Sequence, residues 1–143
     1  MIVVDANVAV KWFEREPGWE NAEQVAAYAS LSAPAHLVVE VGRALLRNLR
    51  AGTIVPEAAT AALRGLSAAV TLVPTEDLIE IAFEIALASS VTIYDALYVA
   101  AAVRQDCDLV TADSRLITAL QTTSWRRRAV HLTSWAATGP GGS

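Results

Sequence analysis

The stretch "IVVD" from Ile2 to Asp5 constrains the fold more than any other part of the chain. Three consecutive β-branched residues favour a strand, and with no polar position among them both faces of that strand are apolar. Such a strand belongs inside a parallel sheet covered on both sides. The rest of the sequence supplies the covers. A short helix is expected from about Ala6 and another from about Trp19 to Leu31, where Ser32, Ala33 and Pro34 break it. A long helix follows from about His36 to Ala51, ended by Gly52, and Pro56 suits the first turn of a further one reaching about Ala69. "VTLV" at Val70 to Val73 reads as a second strand. Thr75 then opens a helix with Glu76 and Asp77 in its first turn, ending near Ser89, and Thr92 opens the next. "DLVTAD", Asp108 to Asp113, reads as a strand delivering a helix from Ser114, and "AVHLTSW", Ala129 to Trp135, as the last strand. This alternation predicts an α/β protein, a three-layer α/β/α sandwich on a central, mainly parallel sheet. With 143 residues, 54% of them hydrophobic, the chain suffices for one domain, expected over residues 1–136 with a flexible tail at 137–143.

The run from Ile85 to Val103 is long enough to suggest a membrane span, but Ser89, Ser90, Thr92 and Asp95 interrupt it. A central aspartate is strongly disfavoured in lipid, so a buried helix is expected instead. The amino terminus shows no basic segment before its short apolar run, which argues against a secretory signal. A single cysteine, Cys107, excludes an intrachain disulfide framework and fits a reducing compartment. A cytoplasmic protein with no membrane partner is the expectation. The net charge of −4 argues against a non-specific nucleic-acid coat, because phosphate binding runs on Lys and Arg. It leaves room for a nuclease that holds cations with carboxylates.

Ligands of a parallel sheet bind beyond the carboxyl ends of its strands, where Asp5 and Asp113 are expected. Either has an ordinary reading as the N-cap of the following helix. Asp95, in "TIYD" from Thr92, matches a capping box, yet that does not account for its apolar company. Glu40 interrupts a helix whose core side carries Leu37, Val41, Leu45 and Leu49. With Arg43, Arg47 and Arg50 it forms one polar stripe, which a solvated face with a Glu40 to Arg43 ion pair also explains. Together, three aspartates and a glutamate would make a hard-oxygen cage suited to Mg²⁺ or Mn²⁺. His36 lies four residues before Glu40, so a metal contact and a structural role near the helix start both stay open.

"IVVDANV" with Asp5 and Asn7, the helix with Glu40, "TIYDALYVAAA" with Asp95 and "LVTADSRL" with Thr111 and Asp113 resemble the PIN domain, in the form of VapC toxins of toxin-antitoxin pairs. The resemblance spans nearly the whole chain in the right order. It implies a metal-dependent ribonuclease in which Asp5, Glu40, Asp95 and Asp113 surround one or two Mg²⁺ or Mn²⁺ ions, with Asn7 and Thr111 orienting them. It also implies a cognate VapB-type antitoxin whose tail covers the site, and a homodimer. The chemistry agrees: a carboxylate-bound divalent ion makes water nucleophilic near neutral pH and neutralises phosphate charge, so no His or Ser nucleophile is required. Arg43, Arg47 and Arg50 are candidates for leading RNA to the site, whereas Arg126, Arg127 and Arg128 read as a solvated charge run. Two further readings stand beside it, a PIN-like module that binds RNA or protein without cutting, and a housekeeping RNA-processing nuclease. A receiver-type domain would want a lysine at the end of a late strand, and Lys11, the only lysine, lies in the first helix. A haloacid-dehalogenase-like phosphatase would want an acid where Asn7 stands.

Overall fold

The computed structural model describes residues 1–28 and 30–138. β1 (Ile2–Val4) occupies the middle of a five-stranded sheet, in the order β3-β2-β1-β4-β5. The others are β2 (Leu31–Pro34), β3 (Thr71–Val73), β4 (Asp108–Thr111) and β5 (Ala129–His131), and every pairing is parallel. Val3 and Val4 are wholly buried, as a strand apolar on both faces requires.

Helices α1 (Ala6–Ala9), α2 (Trp19–Ala26), α3 (Leu37–Arg50), α4 (Pro56–Ala69), α5 (Ile79–Ala88), α6 (Ile93–Arg104), α7 (Ser114–Leu120) and α8 (Leu132–Thr138) connect and cover the strands. Their ends follow local chemistry. Pro56 takes the first turn of α4, where its missing N–H costs nothing. α3 stops at Gly52, whose positive φ of 78° lets Gly52 N–H reach Leu49 O and Thr53 N–H reach Asn48 O, a Schellman closure. Thr92 caps α6 by accepting from Asp95 N–H at 3.2 Å.

Two segments differ from expectation. Leu31 to Pro34 is strand β2, between β1 and β3, and not the end of a helix; α2 stops at Ala26. Ser, Ala and Pro are weak strand formers, but these side chains are small and buried, and Pro34 closes the strand where it faces only β3. Ser32, wholly buried, takes a hydrogen bond from Gln105 Nε2 at 2.9 Å. The segment after His131 turns into α8, with Leu132 and Trp135 buried on one side, a helical spacing that overrides the strand reading. The expected tail lies mostly outside the described residues, since α8 runs through Thr138.

The apolar run from Ile85 to Val103 divides into α5 and α6, which bend by 116° between them. No single helix among the described residues is long and apolar enough to cross a membrane. Seven consecutive residues of α6, Ala96 to Ala102, are buried, because that helix packs on β1, β2 and β4 and is covered by α5. Four of the seven are alanines, which let the helix lie close on the sheet.

Candidate active site

The four acids come from four separate segments that end or begin at the carboxyl edge of the sheet. Asp5 follows β1, Asp113 stands just past β4, Glu40 is in the first turn of α3, and Asp95 is in the first turn of α6. The positive ends of α3 and α6 therefore face the carboxylates of Glu40 and Asp95, which offsets part of the repulsion among the acids.

Asp5 is the inner member, 5% exposed. Its position is that of an N-cap, but its side chain makes no capping bond to α1. Instead Oδ2 accepts from Thr111 Oγ1 at 2.9 Å and, more weakly, from Asn7 Nδ2 at 3.4 Å. Asn7 is held in turn: its Oδ1 accepts from Ala112 N–H at 3.0 Å, and its Nδ2 lies 3.3 Å from Thr111 Oγ1. Burial pushes the Asp5 carboxyl up to about 7; Thr111 pulls against this, while the charges of Asp95 and Glu40 add to it.

Thr111 Oγ1 also accepts from Asp113 N–H at 3.0 Å, so one buried hydroxyl ties two of the acids together. Asp113 uses Oδ1 as a helix cap, accepting from Arg115 N–H at 2.9 Å and Leu116 N–H at 3.3 Å. Asp95 is half-buried. Burial raises its pKa first, then the charges of Asp113 and Glu40, with the Thr92 hydroxyl and His36 opposing. Asp95 is thus the electrostatic link between the inner and outer acids.

Glu40 makes no ion pair with Arg43. Its Oε1 accepts from the hydroxyl of wholly buried Tyr98 at 2.9 Å. His36 Nε2 lies 2.9 Å from the same oxygen but out of line for a hydrogen bond, and neither ring nitrogen has a hydrogen-bond partner among the described residues. The imidazole packs on Tyr98 with 4.7 Å between ring centroids. Burial, then the charges of Asp5 and Glu40, raise the Tyr98 phenol, which stays a neutral donor. Arg43, Arg47 and Arg50 are exposed, and among the described residues they form no ion pair.

Among the described residues no three His, Cys, Asp or Glu side chains stand close enough together to grip one ion as they are placed. The donor chemistry still fits a hard divalent cation: the convergent groups are all carboxylate oxygens, and in two of them, Asp5 and Asp95, burial first and then the charges of the other acids raise the pKa, a penalty that a cation would relieve.

Residues 2–119 match the family model of the PIN domain. The chain belongs to the PIN domain family. No curated protein sequence matches it significantly. Solved structures share the fold of this PIN domain, the following three among them. The crystal structure of PAE2754 from Pyrobaculum aerophilum aligns with a TM-score of 0.64 at 20% identity, covering 96% of this chain and 93% of the other. A toxin-antitoxin complex from Klebsiella pneumoniae aligns at 0.63 and 12% identity, and VapBC2 from Rickettsia felis bound to a DNA fragment from their promoter at 0.61 and 14%. Each covers 92% of this PIN domain and 98% of the other chain.

Tyr98 is the neighbour of the acids that the sequence reading passed over. The signal was present, because Tyr98 lies three residues after Asp95 and so shares its helix face. In an apolar run the phenol reads as core.

Proposed function

We propose that this PIN domain is a Mg²⁺- or Mn²⁺-dependent ribonuclease of the VapC type, the toxin of a toxin-antitoxin pair. The observation that carries the reading is the convergence of Asp5, Glu40, Asp95 and Asp113 at the carboxyl edge of a parallel sheet, close enough that Asp95 and Glu40 add to the burial that raises Asp5, and Asp113 and Glu40 to the burial that raises Asp95. In this reading all four would be metal ligands. A bound divalent ion supplies a water of lowered pKa and neutralises charge developing on the phosphate. Thr111 and Asn7 hold Asp5 in one orientation, and the α7 amides hold Asp113 by one oxygen and leave the other for the ion. Arg43, Arg47 and Arg50 attract the RNA backbone along α3.

The protein partners belong to the same proposal: a VapB-type antitoxin that covers the site, and a second copy of the chain. The toxin-antitoxin complexes among the structural neighbours support it, as do apolar side chains exposed along one face of α5, namely Ile79, Phe83 and Leu87. A cytoplasmic location agrees with the lone cysteine, Cys107.

One observation favours a second reading, a PIN-like module that binds without cutting: among the described residues, as placed, no three acids grip one point. The deciding experiment is incubation of a cellular RNA pool with the parent protein and with Asp5→Asn, in Mg²⁺, in Mn²⁺ and in excess chelator. Cleavage by the parent alone, abolished by chelator, is expected. Undiminished cleavage in chelator would sink the metal mechanism, and RNA binding without cleavage at any metal concentration would establish the module.

A further inference from the structure

Glu40 is the one acid of the four whose orientation depends on a side chain from the helix of another. We infer that Tyr98 is a positioning residue for the metal site, its buried hydroxyl fixing Glu40 so that one carboxylate oxygen is left for the ion. The inference rests on the metal-dependent reading above and names a residue that the reading leaves out.

The geometry is specific. Tyr98 has little freedom of its own, because none of it is exposed and its ring packs on that of His36. The hydroxyl meets Glu40 Oε1 at 2.9 Å, and the ring of His36 fills the space beside that oxygen. Oε1 is therefore engaged, while Oε2 has no hydrogen-bond partner among the described residues. Glu40 itself is a long side chain in the first turn of α3, with 37% of the side chain exposed, and without the phenol little would choose among its rotamers. Asp95 sits one turn before Tyr98 on the same face of α6, so the helix that carries one acid also orients another.

The ordinary explanation is that a buried phenol takes the nearest acceptor and that nothing follows for function. The two accounts part on metal affinity. Groups that hold a metal ligand from behind are worth about 10- to 100-fold in affinity, whereas a packing role leaves affinity alone.

The test uses the full chain and Tyr98→Phe, which keeps the ring in the core and removes only the hydroxyl. Mn²⁺ alone is the probe, titrated by electron paramagnetic resonance, with melting in chelator and RNA cleavage measured in parallel. Tyr98→Phe is expected to weaken Mn²⁺ binding about 10- to 100-fold while melting within a few degrees of the parent in chelator. In a Glu40→Gln background the same change is expected to have no further effect on Mn²⁺ affinity, because the phenol acts through Glu40. Unchanged Mn²⁺ affinity in Tyr98→Phe, or an equal loss with and without the Glu40 carboxylate, would overturn the inference. If Tyr98→Phe does not fold, Tyr98→Met fills the core without a hydroxyl; retained parental Mn²⁺ affinity there overturns it, and a loss that disappears in the Glu40→Gln background upholds it. A parent that binds no Mn²⁺ and cuts no RNA overturns the underlying reading. A parent that does both beside an unaffected Tyr98→Phe overturns only the role of Tyr98.

Discussion

Asp5 and Asp113 stand at matching places, each at the N-cap position of the helix that follows one of two adjacent strands, yet their carboxylates are employed differently. Asp113 accepts two amide protons from its own helix, the ordinary capping arrangement. The Asp5 carboxylate makes no capping bond to its helix and is held by Thr111 and Asn7, the former from the neighbouring strand. Topology sets where an acid stands, and its partners set what it can do: Asp113 is anchored by one oxygen at the rim, and Asp5 is a buried charge whose ionisation opposes folding.

The largest expected effect tests that division on activity. Asp5→Asn should lower RNA cleavage by roughly a thousandfold or more, and Asp113→Asn by roughly a hundredfold, because the first removes the charge at the centre of the cluster and the second a charge at its rim. Steady-state cleavage of one short RNA by both variants would measure this, and equal losses would break the distinction. Next comes pH. In chelator, the native Asp5 carboxyl keeps its proton up to about 7 while the unfolded one loses it near 3.8. Between these values the native state binds more protons than the unfolded state, so stability is greatest below about pH 4 and falls as pH rises through about 7. Asp95, also raised, adds in the same sense. The Asp5 part amounts to a few kcal/mol, on the order of 1.4 per pH unit of separation, and Asp5→Asn should leave only the shallower remainder. Denaturant melts from pH 4 to 8 would show it, and a parental slope in Asp5→Asn would remove Asp5 as its source.

A smaller effect separates cap from ligand. Asp113→Ala should cost about 1 kcal/mol of stability in chelator, while Asp113→Asn, whose amide oxygen still caps α7, should cost a few tenths. If Ala and Asn melt together, the cap seen in the structure contributes nothing. The mildest test concerns the approach to the rim: Arg43→Ala should reduce the slope of log affinity against log salt for RNA by about 1, and Arg126→Ala should leave it unchanged. Equal slopes would make α3 no more than a solvated face.

The sequence was most legible where chemistry is local. Pro56, Gly52 and Thr92 mark helix ends by rules that need only a few neighbours, and the buried character of β1 follows from three residues. Leu31 to Pro34 was opaque because its strand identity comes from β1 and β3, which supply the pairing that its own residues do not favour. The site shows the same limit. The four acids stand out in sequence, but whether Asp5 acts as a cap depends on Thr111, 106 residues away, and Glu40 meets its partner 58 residues along.

The placing of β4 beside β1 also has a consequence in time. The chain is synthesised from its amino end at about 5 to 20 residues per second, so Asp5 precedes Asp113 out of the ribosome by several seconds at the least. During that interval β1 lacks the neighbour whose Thr111 holds Asp5, and long-range strand pairing is itself a slow step. The carboxylate cluster is therefore among the last features to form, and a chain cut short before residue 111 carries three of the acids without the hydroxyl that organises them.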